Sequence, residues 1–127
     1  MKALYEAYKI GLEEGRFTSM RDACRIISKQ PAPCYFISAK EAAQYIGRIE
    51  KGVSLINLSS PKRRLILQLY KEYKLYLAEH SDNNLPRETI MEMIVERPAP
   101  EFFMKPEAVR RVLRTAIRNV RRQYGWE

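Results

Sequence analysis

The sequence predicts an all-α protein of six helices, built as a tandem repeat of two three-helix units that share one core. The segment Pro31-Ala32-Pro33-Cys34-Tyr35-Phe36 returns as Pro98-Ala99-Pro100-Glu101-Phe102-Phe103. Apolar residues recur at helical spacing on both sides of each copy. The predicted division is a first repeat over 1–52, a packed connector over 53–60 and a second repeat over 61–127, together forming one compact domain of ordinary size.

The first helix of each copy is predicted from two stretches that align without a gap, 4–14 and 69–79. In both, leucines and tyrosines return every three to four residues, which is typical of an amphipathic helix. Ser60 and Pro61 suit the start of the later helix, because a serine can cap the first turn and proline is tolerated at the first helical position.

The second helices are predicted to begin near Ser19 and Pro86 and to stop before the two Pro-Ala-Pro segments. A residue that precedes proline is disfavoured in helical geometry, so each Pro-Ala-Pro segment should be extended. The aromatic pairs that follow are expected to fill gaps between helices, and they are Tyr35-Phe36 and Phe102-Phe103.

The third helices are predicted to start after Ser38, which forms a capping-box pattern with Glu41, and after Lys105. Their apolar faces match at a constant offset of 67 residues. The later one should extend to Tyr124. The connector that precedes the second repeat is too apolar for a free tether, so we expect it to pack against both units.

Composition indicates the kind of partner and the cellular compartment to expect for this protein. The chain has 23 Lys and Arg residues against 15 acidic residues, a net charge of +8, and such a balance favours polyanionic partners. Residues 1–20 show neither a signal nor a transit peptide, and no apolar run is long enough to span a membrane. The two cysteines, Cys24 and Cys34, suit a reducing cytoplasm.

The strongest functional signal is the last predicted helix. Placing successive residues 100° apart puts six arginines within an arc of about 120°, opposite the apolar face. Guanidinium groups make paired hydrogen bonds to phosphate or guanine and stay charged at all relevant pH values. The matching positions in the first copy hold no arginine, so the shared fold does not require them. These predicted nucleic-acid contacts are Arg110, Arg111, Arg114, Arg118, Arg121 and Arg122.

A second basic cluster, Lys62-Arg63-Arg64, stands at the start of the second repeat. Positive charge near a helix N-terminus is mildly unfavourable, which favours a phosphate-binding role for these residues. The sequence therefore predicts a nucleic-acid-binding protein, with DNA expected before RNA, that uses both clusters.

Several alternatives stay open at this point. The arginine row could be an ordinary solvated face, or it could dock an acidic protein partner in a non-enzymatic interaction or assembly module. A peripheral membrane contact would rest on Tyr124 and Trp126 alone, so no membrane partner is expected. Oligomeric state is not fixed by the sequence, and a homodimer is compatible with it. Five tyrosines could stack on bases but are expected in the core instead: Tyr5, Tyr8, Tyr70, Tyr73 and Tyr76.

Catalytic patterns are missing from the sequence. Its single histidine, His80, sits at a predicted helix end and suits a C-terminal cap. There is no phosphate-binding glycine loop, dinucleotide fingerprint, histidine pair or serine elbow. We therefore expect no enzymatic activity, no cofactor and no metal.

Overall fold

The computed structural model describes residues 2–82 and 84–123 of the chain. Within those residues the structure is all-helical, with six α-helices and no β-strand. No helix of this part is long and apolar enough to cross a membrane. The helices are α1 (Lys2–Glu13), α2 (Met20–Ile27), α3 (Ala39–Glu50), α4 (Ser60–Glu79), α5 (Arg87–Ile94) and α6 (Pro106–Gln123).

The chain forms two compact units whose boundaries differ from those of the two predicted repeats. The first unit joins the segments 1–32 and 100–127 and contains α1, α2 and α6. The second unit is the continuous segment 33–99 and contains α3, α4 and α5. Each predicted third helix thus packs with the first two helices of the other copy. The division of the sequence into repeats at 1–52 and 61–127 stays a prediction.

Serine caps begin three of the helices. Ser19 and Ser38 lie just before α2 and α3, and their hydroxyls accept hydrogen bonds from the backbone N–H groups of Asp22 and Glu41. These two caps confirm the predicted starts. The cap of α4 is Ser59 and not Ser60, because the Ser59 hydroxyl is the one that accepts the Lys62 N–H while Ser60 already lies in the helix.

The first unit has an apolar core to which all three helices contribute. α6 packs against both α1 and α2. The side chains in the core are aliphatic and have no solvent exposure: Leu4 of α1, Ala23 and Ile27 of α2, and Val109 and Leu113 of α6. Within α2 and within α6 the two named residues are four positions apart, which is the spacing expected for helices that bury one face.

The second unit is built in the same way from α3, α4 and α5, each of which packs on the other two. Its core also contains side chains with no solvent exposure. They are Ala42 and Ile46 of α3, Ile66 and Leu69 of α4, and Met91 and Ile94 of α5.

The chain passes between the units inside the two Pro-Ala-Pro segments. It leaves the first unit after Ala32 and returns after Ala99, two positions separated by the repeat offset of 67 residues. Both alanines are buried, whereas all four flanking prolines are exposed. α2 and α5 end before these segments, at Ile27 and Ile94, as the effect of proline on the preceding backbone predicts.

One ring of each predicted aromatic pair is buried. Tyr35 is 3% exposed and Phe102 is 6% exposed, whereas Phe36 is 41% exposed. Phe103 is half-buried and has a φ of 55°, in the left-handed region. The predicted role of filling a gap therefore falls to the first ring of each pair.

The connector over 53–60 is less covered than expected. Val53 and Ile56 are exposed, the latter by 73%, while Leu55 and Leu58 are half-buried. Two of its four apolar side chains therefore face solvent and two are partly covered, and the expectation that the connector packs against both units stays a prediction.

A polar cluster holds the start of the second unit. The Tyr35 hydroxyl donates a hydrogen bond to Oε2 of Glu72 on α4, and Arg97 places Nη1 3.6 Å from Oε1 of the same carboxylate. The backbone N–H of Tyr35 donates to the carbonyl of Val95. Burial raises the pKa of the Tyr35 hydroxyl, and its hydrogen bond to Glu72 raises it further.

Replacing Tyr35 with Phe is expected to lower the free energy of unfolding by roughly 1–3 kcal/mol at pH 7, because Glu72 loses a buried donor. A tyrosine in the unfolded chain titrates near pH 10 and Tyr35 in the folded chain titrates above it. The stabilisation by Tyr35 is thus complete below pH 10 and is lost as the pH rises further. In urea unfolding, the difference in unfolding free energy between wild type and Tyr35→Phe should be smaller at about pH 11 than at about pH 7. A constant difference, or the same narrowing in the control Tyr70→Phe, would contradict this assignment.

Residues 33–99 expressed alone are expected to unfold cooperatively, because every core side chain named for the second unit lies within this segment. The fragment 53–99 lacks α3 and should not fold, since the faces of α4 and α5 that contact Ala42 and Ile46 would be uncovered. Circular dichroism during thermal unfolding measures the cooperativity of unfolding of each fragment. Cooperative folding of the shorter fragment would show that α3 is not an essential part of the unit.

Candidate nucleic-acid interface

α6 is held in the first unit by one face. Val109 and Leu113 have no solvent exposure, while Ala116, Ile117 and Val120 are half-buried. Because side chains on a helix are fixed around its axis, burying this face directs the opposite face into solvent.

All six predicted arginines of α6 are exposed. Among the residues that the structure describes, no carboxylate oxygen lies within 4.0 Å of five of their guanidinium groups. Those five are Arg110, Arg111, Arg114, Arg118 and Arg121. The name arginine face is used below for the six exposed arginines together.

The arginine face runs along α6 from its second turn to its C-terminal end. Arg110, Arg114, Arg118 and Arg121 follow one another at about one per turn. The last three of these line a shallow pocket of ≈ 360 Å³ together with Ile117. The cations therefore form a continuous row that could contact successive anionic groups.

α2 extends the positive surface beside the start of α6. Arg21 and Arg25 line a pocket of ≈ 570 Å³ together with Arg110, and the carboxylates of Asp22 and Glu107 line the same pocket. Arg25 pairs with Asp22 at 2.8 Å, whereas Arg21 has no carboxylate within 4.0 Å among the described residues. Sequence reasoning missed Arg21. Its exposed position on the amphipathic α2 was readable, but its proximity to Arg110 depends on the packing of α2 against α6.

The charges at this junction act on nearby groups. Burial raises the pKa of the Cys24 thiol, and the positive charges of Arg110 and Arg114 oppose that shift. The hydrogen bond from the Thr18 N–H lowers the pKa of the Asp22 carboxyl, and Arg25 lowers it further. The N-terminal half of the arginine face therefore lies within electrostatic reach of α2.

The second predicted cluster lies in the other unit, at the start of α4. Lys62 pairs with Glu41 of α3 at 2.9 Å and stands 5.4 Å from the ring centroid of Tyr45. Arg64 donates a hydrogen bond to the Ser60 hydroxyl, and Arg63 is half-buried. The structure therefore brings the six arginines of α6 together on one face and gives Lys62 a structural partner within its own unit.

Charge is unevenly divided between the two units. The segments of the first unit contain thirteen basic and seven acidic residues, a net charge of +6. The second unit contains ten basic and eight acidic residues, a net charge of +2. The unit that presents the arginine face thus has most of the positive charge of the chain.

The other residues considered in the sequence are five tyrosines, which are buried or half-buried, and His80 at the end of α4. Tyr73 and Tyr76 are each 7% exposed, and Tyr5, Tyr8 and Tyr70 are half-buried. His80 caps the end of α4, as predicted, and its ring stacks on Tyr76 at a centroid distance of 4.2 Å. Within the described residues no group of three or more His, Cys, Asp or Glu side chains is arranged to hold a metal ion. The predicted position of Tyr124 lies outside the described residues.

Comparison with protein-family models, with curated proteins and with solved structures finds no match. The candidate site therefore rests on the residues and geometry described above.

The two faces of α6 should respond differently to truncation. Leu113→Ala is expected to cost about 2–5 kcal/mol of stability, because it leaves a cavity at a fully buried position. The double variant Arg114→Ala/Arg118→Ala should change stability by less than about 1 kcal/mol, since both side chains are exposed and lack carboxylate partners among the described residues. The free energies of unfolding of the two variants and of wild type are compared by urea unfolding, monitored by circular dichroism. A large loss of stability in the arginine variant would show that the arginine face is part of the fold.

Proposed function

We propose that the protein binds nucleic acid through the arginine face of α6, with duplex DNA as the ligand. The observation that carries the proposal is a row of five exposed arginines of α6 that have no carboxylate partner among the described residues. They are Arg110, Arg111, Arg114, Arg118 and Arg121. Ion pairs within the chain would have neutralised this row, and these five guanidinium groups form none with residues 2–82 and 84–123. The net charge of +6 on the same unit adds a long-range attraction for a polyanion.

The dimensions of the arginine face suit a duplex. Arg110 and Arg122 are twelve residues apart, which corresponds to about 18 Å along the helix axis. That length of duplex contains roughly ten phosphates, so several arginines can find partners at once. Phosphate contacts would give affinity without sequence preference, and an arginine that reaches guanine would add specificity.

DNA is favoured over double-stranded RNA by the shape of the grooves. The major groove of B-form DNA is wide enough to admit an α-helix, whereas the major groove of A-form RNA is deep and narrow. α6 is held along one face only, so its opposite face is available to approach a wide groove. Arg21 of α2 would then lie beside Arg110 as an additional phosphate contact.

We also propose that the chain is an internal duplication whose third helices are exchanged between the copies. In each unit the three helices pack pairwise, and α1, α2 and α6 correspond in sequence to α4, α5 and α3. Both passages between units fall at the same place in the two Pro-Ala-Pro segments. The arginine face would then be a later specialisation of one copy, since α3 has none of these arginines.

Binding to a random-sequence duplex of about 20 base pairs should weaken steeply with salt. If four arginines contact phosphate, log affinity plotted against log salt should have a slope of about −3.6, measured by fluorescence anisotropy between about 50 and 200 mM salt. Arg114→Ala/Arg118→Ala should reduce the slope to about −1.8, because two contacts are lost.

The matched control is Lys40→Ala/Lys71→Ala, which removes two exposed charges from the second unit. It should leave the slope near the wild-type value, since neither lysine lies on the arginine face. Equal losses in the two double variants would mean that only net charge matters. Unchanged affinity in the arginine variant would overturn the proposed interface.

A further inference from the structure

A groove between α1 and α6 provides a second surface on the first unit. It has a volume of ≈ 630 Å³, and its floor is formed by Ala108, Val112, Ala116 and Val120 of α6. Tyr5 of α1 forms part of its wall. On the helix wheel this floor lies beside the arginine face and is separate from it.

The rim of the groove is positively charged. Lys2 of α1 and Arg111 of α6 both line it. Lys2 lies 4.0 Å from Oε1 of Glu6, an exposed side chain that is not among the lining residues. Both cations are exposed. An apolar floor with a basic rim is complementary to an apolar segment that also carries carboxylates.

The second unit shows how a helix covers the corresponding surface. By the repeat offset, Ala108 and Val112 correspond to Glu41 and Tyr45 of α3. Lys62 of α4 pairs with Glu41 and stands over the ring of Tyr45. In the same turns of α4, Pro61 and Leu65 are buried. The first turns of α4 thus cover this part of α3 with a helix.

In the first unit the corresponding residues, Ala108 and Val112, line the groove beside α1.

We propose that this groove binds an acidic amphipathic helix of a partner protein. Its apolar stripe packs on the floor of α6, where the small side chains of Ala108 and Ala116 allow two helices to approach closely. Its carboxylates pair with Lys2 and Arg111 at the rim. The floor extends from Ala108 to Val120, about 18 Å, which accommodates roughly three helical turns.

The test uses the full-length protein and two labelled synthetic peptides of about 14 residues. Both have leucines at positions i, i+3, i+4 and i+7; one has glutamates on the flanking positions and the other has lysines. We expect the glutamate peptide to bind at least about tenfold more tightly than the lysine peptide in fluorescence anisotropy. The amide resonances of Val112 and Ala116 should shift on binding.

Ala108→Glu should weaken binding of the glutamate peptide by at least about tenfold, because it places a negative charge in the groove. The position tolerates glutamate by analogy with Glu41, and negative charge is favourable in the first turn of a helix. Asn119→Glu, at an exposed position that also lines the groove, provides a second variant should the first fail to fold. Ala78→Glu on α4 adds the same charge at an exposed site of the second unit and should leave binding unchanged.

Arg114→Ala/Arg118→Ala separates this groove from the arginine face. If the glutamate peptide loses affinity in this variant and keeps it in Ala108→Glu and Asn119→Glu, the peptide binds the arginine face and the proposal is wrong. Absence of any binding, or equal binding of the two peptides, also overturns it. Asn119→Glu and Ala78→Glu should lower the affinity for duplex DNA by about the same small amount, because each adds one negative charge away from the arginine face. The peptide experiment and the DNA experiment therefore test the two proposals separately.

Discussion

Burial of Val109 and Leu113 in the core of the first unit is the interaction on which the functional surface depends. These two residues are one turn apart and have no solvent exposure, so they fix the rotation of α6 about its own axis. Arg110, Arg114 and Arg118 follow at helical spacing on another side, and their direction is set by the same rotation. The arginines need no contacts of their own to be oriented, because the helix transmits the orientation of its buried face.

The place of α6 beside α1 and α2 depends in turn on the Pro-Ala-Pro segments. A helix that continued through either segment would clash at proline, so no helix runs through it, and the helix that follows belongs to another unit. The first unit consequently brings together segments separated by the whole of 33–99. Closing such a long loop costs conformational entropy that the continuous second unit avoids. The burial of the apolar face of α6 against α1 and α2 contributes hydrophobic free energy that offsets this entropy loss.

Local features of the fold could be predicted from the sequence, while the choice of packing partners could not. Periodicity and caps located the helices, and the arginine arc followed from 100° per residue. Ser59 and Ser60 are adjacent hydroxyls, so sequence alone could not decide which one caps α4. Periodicity shows which face of a helix is buried but not what covers it. What covers each face decides that α3 packs with α4 and α5 while α6 packs with α1 and α2. The same information decides the proximity of Arg21 to Arg110 and the pairing of Lys62 with Glu41.

α6 presents three kinds of surface around one axis, and the two proposed ligands would meet at their border. Arg111 belongs to the arginine face and also lines the groove beside α1. A carboxylate that pairs with Arg111 from the groove would withdraw one cation from a phosphate on the other side. Since linkage is reciprocal, DNA would weaken the acidic partner by the same factor. Only one of six arginines is shared, so this competition would be modest, and both ligands could occupy the first unit together. An acidic partner that extended past Arg111 onto Arg114 would instead exclude DNA, because it would neutralise the centre of the row.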